Sequence, residues 1–261
     1  MRNIYWIGLA FLGITVLVIS INMLNGRQSQ LPSSSLVAEF STPEGFQRAE
    51  KPLDWEFPKD FGPHPEYQTE WWYYTGNLES EQGDRFGYQL TVFRRAVRPE
   101  SERTERESNW ATEQIYMGHF AVSDINAGEH YAFERFSRGA AGLAGAQSEP
   151  YQVWLDNWQV SQLSEGQYQL TAEQDGISLD LQLEDLKGPI LHGEEGYSQK
   201  GPDKGNASHY YSQTRMETSG SIQTDRGSYQ VSGLSWKDHE FSTSALSSGQ
   251  VGWDWSVSYT H

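Results

Sequence analysis

The chain has 261 residues, a formal net charge of −16 and no cysteine. This acidity argues against nucleic acid as a partner, because binding to a phosphate backbone requires a basic surface. The lack of cysteine excludes disulfide bonds, thiol nucleophiles, cysteine metal ligands and a lipoprotein anchor.

The first element along the chain is a long apolar segment. Residues 4–24 (IYWIGLAFLGITVLVISINML) carry no charge, and a helix of this length crosses a hydrocarbon core about 30 Å thick. Residues 22–27 (NMLNGR) lack the small-residue motif at which signal peptides are cleaved. We therefore predict an inner-membrane signal-anchor at residues 1–24, with the body of the protein in the periplasm. A cleaved signal peptide is the alternative.

A polar segment links this apolar stretch to the rest of the chain. Residues 25–45 (NGRQSQLPSSSLVAEFSTPEG) are rich in serine and show no periodicity. Such a composition is typical of a flexible linker, so the folded part is expected to begin near residue 46.

From there on, apolar and polar residues alternate in short runs. The clearest run is residues 177–183 (ISLDLQL), in which every second residue is apolar, as in a strand with one buried face. Turn-forming residues separate the runs, and Asp175-Gly176 is a strong signal for a two-residue hairpin. Residues 188–206 (GPILHGEEGYSQKGPDKGN) break the alternation and are expected to form a long loop.

Three segments carry a resemblance to a known family. They are residues 57–93, which contain EWWYYTGNL and GYQLTVF, residues 117–138, which contain MGHFAVSD and RFSR, and residues 235–255, SWKDHEFSTSALSSGQVGWDW. In these segments the chain resembles the carotenoid 1,2-hydratase / AttH-like family, whose members are often labelled predicted secreted hydrolases. The resemblance implies two lipocalin-like β-barrels in tandem, a lipid- or polyene-like ligand and a link to an ABC transporter permease.

Pattern and resemblance together predict an all-β protein built on a lipocalin-like antiparallel β-barrel at residues 46–235. Residues 236–261 are expected to begin a second barrel of the same kind, truncated where the sequence stops. The alternation alone fits a sandwich as well as a barrel, so the choice of a barrel depends on the resemblance.

The densest aromatic run is residues 70–74, EWWYY. Neighbours on a strand point to opposite faces, so Trp71 and Tyr73 are expected on one face and Trp72 and Tyr74 on the other. A ligand-binding wall and a tryptophan-rich core both fit this run. The predicted ligand-binding residues are Trp71, Trp72, Tyr73, Tyr74, His119 and Trp253.

The polar residues of the expected core do not indicate a metal site. None of the four histidines His64, His119, His209 and His239 shows the H-x-H or H-x-x-x-H spacing of metal ligands. We therefore predict no metal and no cofactor, and expect His119 to be a hydrogen-bonded structural residue. Glu70 requires a partner if it lies among apolar rings, and Arg94 and Arg95 are candidates.

The sharpest catalytic candidate is Asp238, in the sequence WKDHE. The resemblance implies that an aspartate two residues after an aromatic residue, here Trp236, is the catalytic acid. A protonated carboxyl group in an apolar pocket can protonate a C=C bond, and a ring face stabilises the resulting carbocation. The alternative is a structural Asp238 that Lys237 and His239 keep ionised.

These features leave three functions open. The leading interpretation is an extracytoplasmic protein that binds a hydrophobic small molecule alongside an ABC transporter permease, with membrane contact through the anchor. The second is an enzyme of the carotenoid 1,2-hydratase type. The third is a secreted hydrolase, which is disfavoured because Ser235 would need Asp238 and His239 from opposite faces of one strand.

Overall fold

The computed structural model describes residues 44–102, 108 and 110–243. Contacts divide the chain into a unit of residues 1–40 and a unit of residues 41–261, and only the second contains described residues. Within the described ranges, no helix is long and apolar enough to cross a membrane. The expected signal-anchor (1–24) and most of the expected linker (25–45) lie outside these ranges.

Antiparallel strands make up nearly all of the regular structure. Two 3₁₀ turns, Lys59–Phe61 and Glu100–Glu102, are the helical elements of the described residues. The strands are β1 (Thr69–Ser80), β2 (Arg85–Ala96), β3 (Gln114–Asp124), β4 (Glu129–Arg138), β5 (Ala144–Ser148), β6 (Tyr151–Leu155), β7 (Trp158–Ser164), β8 (Gln167–Gln174), β9 (Ile177–Asp185), β10 (Pro189–Leu191), β11 (Tyr197–Gln199), β12 (Ala207–Thr224) and β13 (Gly227–Ser242).

All thirteen strands belong to one sheet, in the order β4-β3-β2-β1-β13-β12-β9-β8-β7-β6-β5, with β10 and β11 paired to β12. The sheet curls so that β6 contacts β2, β3 and β4 across the interior. The result is a nearly closed antiparallel barrel. The prediction of an all-β fold is confirmed.

Local sequence explains the strand boundaries. Asp175 and Gly176 have φ angles of 52° and 82° and join β8 to β9, which is the two-residue turn with two positive φ values that this dipeptide favours. The alternation predicted for residues 177–183 is present, because Ile177, Leu179 and Leu181 are all at most 3% exposed. Their polar neighbours point outwards.

Aromatic and aliphatic side chains fill the barrel interior. Trp72, Tyr74, Tyr151, Trp158 and Tyr211 are each at most 1% exposed. Rings of this size bury large apolar areas and dominate the energetics of a core. The abundance of aromatic residues in the sequence is thus largely explained by packing.

The expected domain boundary at residue 236 falls inside β13, whose residues on both sides of that point pair with β1 and β12. Residues 236–242 therefore belong to the same barrel as the strands before them. Residues 244–261 lie outside the described ranges, so the start of a second barrel remains a prediction.

The prediction that residues 188–206 form a long loop is wrong in one respect. Residues 189–206, called the strap below, contain β10 and β11, and both strands add to the edge of β12. The backbone N–H of His192 donates to the carbonyl of Tyr210 at 3.0 Å. The sequence does not indicate this pairing, because the segment is rich in glycine and charged residues and because neither strand is long enough to show an alternation.

Candidate functional site

Strands β1 and β13 lie side by side at the centre of the sheet, and their alternation divides the predicted site residues between two faces. Trp72 and Tyr74 point into the core, whereas Trp71 and Tyr73 lie on the outer face and are partly exposed. Asp238 is paired directly with Tyr73 and therefore shares the outer face. The predicted assignment of Trp71 and Tyr73 to one face and Trp72 and Tyr74 to the other is confirmed.

Glu70 is the centre of a polar cluster on the inner face. One of its oxygens accepts from Arg94 Nε at 2.8 Å, and both side chains are fully buried. The other oxygen accepts from the rings of His64 (2.9 Å) and His239 (2.8 Å). The expected partner Arg94 is thus confirmed, whereas Arg95 donates to Thr69 instead.

Burial and charge set the protonation of this cluster. Burial alone would raise the pKa of Glu70, but the Arg94 guanidinium and the two histidines hold it well below its usual value. Burial alone would lower the pKa of His64, but hydrogen bonds with Asp60 and Glu70 raise it to about 9. Burial lowers the pKa of His239 to about 4, despite the opposing effect of Glu70. At neutral pH the buried charges of Glu70, Arg94 and His64 therefore coexist with a neutral His239.

A directional chain of hydrogen bonds extends from Glu70 to Lys237. Ionised Glu70 only accepts, so His239 donates through Nε2 and accepts through Nδ1 from the hydroxyl of Tyr211 at 2.9 Å. The oxygen of Tyr211 in turn accepts from Lys237 Nζ at 3.2 Å. Each polar group in this series of hydrogen bonds has a partner, as buried polar groups require.

Lys237 is fully buried in a cage of aromatic rings. Its Nζ lies 4.7 Å from the ring centre of Tyr151 and 4.9 Å from that of Phe61, with the ring of Tyr211 at 5.4 Å. Burial lowers the pKa of Lys237 to about 7, while ring faces at these distances favour the cation. Lys237 and His239 point to the face opposite Asp238, so neither forms the ion pair with Asp238 that the alternative interpretation invoked, and a structural role for Asp238 remains a prediction.

The ligand atoms of His64, Glu70 and His239 lie within 4.8 Å of one another. Two histidines and a carboxylate are a chemically suitable donor set for zinc. However, the guanidinium of Arg94 sits at 2.8 Å from Glu70 and would repel a cation, and the three groups already satisfy one another. We therefore interpret this group as a hydrogen-bonded core cluster, and the absence of a metal remains a prediction.

On the outer face, Asp238 forms the second polar site. It is 1% exposed, and its Oδ1 accepts from the hydroxyl of Tyr210 at 2.8 Å and from the hydroxyl of Ser212. No hydrogen-bond partner for the buried Oδ2 occurs among the residues that the structure describes. A carboxyl group held by one oxygen leaves the other oxygen for proton transfer.

The strap borders this site. His192 Nε2 lies 2.6 Å from Ser212 Oγ, and the imidazole stacks on Tyr210 with ring centres 4.0 Å apart. Lys200 forms an ion pair of 2.8 Å with the buried Glu240, which follows Asp238 on the same face. Burial raises the pKa of Glu240, and the charge of Lys200 opposes this shift. None of these strap contacts was predicted, because short-range sequence patterns do not report which loop covers which strand.

Partly exposed rings continue the outer face away from Asp238. The ring of Trp71 lies 6.2 Å from that of Phe93, which in turn lies 5.6 Å from the ring of His119. His119 hydrogen-bonds Glu134 at 3.1 Å, as expected for a structural histidine. Trp236 shares the face of Asp238, so an aromatic row and a buried acid occur together.

Several predicted site residues do not join this arrangement. Trp72 and Tyr74 belong to the packed core, and they are therefore not available as a ligand wall. Ser235 accepts from Tyr88 on the inner face, opposite Asp238, which excludes the serine-hydrolase arrangement that was already disfavoured. Trp253 lies outside the described residues.

The chain resembles several solved structures, among them the following two. A protein from Nitrosomonas europaea provisionally named AttH is 34% identical, with a TM-score of 0.65 over 76% of this chain and 58% of that protein. Kievitone hydratase from Nectria haematococca is 12% identical, with a TM-score of 0.54 over 78% of this chain and 58% of that enzyme, and shares the fold. The chain thus spans about 58% of the length of each. No curated protein matches the chain.

The model of the AttH-like family matches residues 48–258. This range contains all three segments that carry the resemblance in the sequence, together with Asp238, the strap and the cluster around Glu70. Since the match covers most of the chain, the protein belongs to the AttH-like family.

Proposed function

We propose that the protein is a hydratase-like enzyme that adds water to a C=C bond of a hydrophobic substrate, with Asp238 as the proton donor. The observation that carries this proposal is the asymmetry of the carboxyl group. Two hydroxyls hold Oδ1, while the buried Oδ2 has no partner in the described part of the chain. The shared fold with kievitone hydratase is consistent with this chemistry.

In the proposed reaction, the proton of Asp238 is carried on Oδ2, because Oδ1 already accepts two hydrogen bonds. Asp238 transfers this proton to one carbon of the double bond, and the π electrons form the new C–H bond. A water molecule then adds to the cationic carbon and loses a proton to solvent. In this proposal the outer-face rings, among them Trp71 and Tyr73, bind the apolar substrate and stabilise the cation.

The structure favours a site on the outer face over a ligand inside the barrel. Trp72 and Tyr74 are each 1% exposed and offer no free ring surface to an internal ligand. Binding of a hydrophobic molecule without turnover is the second candidate, and the partly exposed row of Trp71, Phe93 and His119 supports it. Either function places the hydrophobic molecule on the same face.

The test is oxygen-18 incorporation from labelled water, measured by mass spectrometry on a panel of hydrophobic alkenes. The panel includes an acyclic polyene and kievitone, the compound for which the Nectria haematococca enzyme is named. We expect Asp238→Asn to reduce hydration by about 100-fold or more, the range for loss of a general acid. The variant keeps the shape of the side chain but removes the proton donor.

The matched control is Asp180→Asn, which changes an exposed aspartate on β9 and should leave hydration unchanged. Binding of the alkene is followed in parallel by quenching of tryptophan fluorescence. Hydration that survives in Asp238→Asn would refute the proposed role of Asp238. Binding without hydration by the wild-type protein would favour the second candidate.

We further propose that residues 1–24 anchor the protein so that the enzyme body faces the periplasm, where a hydrophobic substrate can be taken from the membrane. The unbroken apolar run of residues 4–24 supports this location. An ABC transporter permease remains a proposed partner that would deliver or remove such a molecule. Carbonate extraction of membranes, with N-terminal sequencing of the protein, tests the anchor.

A further inference from the structure

A hydrogen-bonded path joins the buried Asp238 to a half-buried histidine of the strap. We infer that His192 and Ser212 form a proton path that returns a proton to Asp238 after each turnover. This inference rests on the proposed function, because only an acid that gives up its proton requires such a path.

The direction of the hydrogen bonds follows from the single hydrogen of a serine hydroxyl. Ser212 Oγ donates to Asp238 Oδ1, so it can only accept from His192 Nε2, which lies 2.6 Å away. Neutral His192 therefore carries its hydrogen on Nε2 and a lone pair on Nδ1. This tautomer accepts a proton at Nδ1 and releases one towards Ser212.

The fold holds the three residues in line. Ser212 is paired with Asp238 on one side and with Ile190 of the strap on the other. The His192 backbone N–H donates to the Tyr210 carbonyl at 3.0 Å, and the imidazole stacks on the Tyr210 ring. The hydroxyl of the same tyrosine donates to Asp238. The strap thus positions His192 relative to the acid.

The charges around His192 suit this role. Burial lowers the pKa of His192, Asp238 raises it when it is a carboxylate, as after proton donation, and the positive charge of Lys200 lowers it. Lys200 is itself paired with Glu240. The net downward shift keeps His192 neutral at neutral pH, and a neutral imidazole can accept a proton and pass one on.

The transfer balances in protons. After hydration, Asp238 is a carboxylate and the added water has released one proton to solvent. Solvent then protonates His192 on Nδ1, His192 gives its Nε2 proton to Ser212, and Ser212 gives its hydroxyl proton to Asp238 Oδ1. A half-turn of the carboxyl group brings the proton to the Oδ2 position. Exchange of His192 with solvent restores its original tautomer, because the residue is only partly buried.

The test compares His192→Gln, Ser212→Ala and a matched control in the hydration assay. Glutamine still donates to Ser212 but cannot relay a proton, so we expect kcat to fall by about tenfold or more with KM unchanged. Added imidazole should restore the activity of His192→Ala, and the dependence of kcat on the His192 titration should disappear. Ser212→Ala should lower kcat in the same way without rescue by imidazole.

The control is His130→Gln, which removes another histidine–serine hydrogen bond, the 2.9 Å contact of His130 with Ser123. Among the residues that the structure describes, no carboxylate hydrogen-bonds this pair, so kcat should not change. Equal kcat and equal pH profiles for His192→Gln and His130→Gln would overturn the proton path. A loss of melting temperature in His192→Gln with kcat unchanged at the assay temperature would also overturn it.

Nitrogen-15 NMR of the histidine rings separates this inference from the proposed function. If the wild-type protein hydrates nothing on the panel, the proposed function fails, and the NMR result then decides on the path. An Nε2–H tautomer of His192 in the wild-type protein, with that hydrogen bonded to Ser212, supports the path. An Nδ1–H tautomer overturns it.

Discussion

Glu70 is a fully buried carboxylate whose charge is balanced within the barrel. Arg94 neutralises it directly, and His64 and His239 donate to its other oxygen. Removing one member of such a buried group leaves the others charged and unpaired, which costs more free energy than the intact group contributes. The cluster therefore has a structural role, separate from the chemistry proposed for Asp238.

We expect Glu70→Gln to lower the free energy of unfolding by about 3–5 kcal/mol, because Arg94 and His64 would lose their counter-charge. Urea denaturation at neutral pH measures this change. Glu79→Gln is the matched control, since Glu79 lies on the same strand but is exposed. Similar losses for the two variants would contradict the role assigned to the cluster.

At the scale of elements, the barrel depends on a close approach between β3 and the strands opposite it. A Cβ atom on Gly118 of β3 would lie 2.6 Å from Leu155 Cδ2 and 3.1 Å from the ring of Trp158. A residue without a side chain is required there if β3 is to pack against β6 and β7 without displacing a core residue.

Gly118→Ala should therefore destabilise the protein by about 1–3 kcal/mol, the usual range for overpacking a core. Gly87→Ala on the neighbouring β2 is the control, because a Cβ there would meet only Ser123 Cβ at 3.8 Å, an ordinary contact. Thermal unfolding followed by near-UV circular dichroism compares the two. An equal melting temperature for both variants would show that the gap between the strands is wider than described.

At the scale of the whole molecule, two buried groups make the stability depend on pH in opposite directions. The pKa of His64 is raised to about 9, so its contribution is complete below about pH 6.5 and is lost as the pH rises through about 9. The pKa of Lys237 is lowered to about 7. The unfolded chain then holds this proton more tightly, so stability rises with pH from about 7 to about 10.4.

The two effects should largely cancel in the wild-type protein between about pH 7 and about pH 9. In Lys237→Met only the His64 effect is left, and the free energy of unfolding should fall by about 1 kcal/mol per pH unit over this range. Urea denaturation across the range measures the slope. Lys187→Met changes an exposed lysine; it is the control and should keep the wild-type dependence of the free energy of unfolding on pH. If Lys237→Met kept the same dependence as the wild-type protein, the neutral state of the buried Lys237 amine would be refuted.

Sequence patterns alone predicted the strand pattern, the hairpin at Asp175-Gly176, the family and the opposite faces of Trp71 and Trp72. These properties follow from local rules, because side chains alternate along a strand and a turn dipeptide sets its own backbone angles. The need of Glu70 for an arginine partner was likewise evident from the cost of burying a charge.

The three-dimensional fold was needed to show which face is the core and what surrounds Asp238. The curvature of the sheet places Trp72 inside and Trp71 outside, and alternation alone cannot assign these sides. The pairing of the strap with β12 brings His192 to Ser212, and contacts over such sequence separations leave no local pattern. Lys237 and Asp238 are neighbours on β13 but belong to different environments, because successive side chains of a strand point to opposite faces of the sheet, here the packed interior and the outer face.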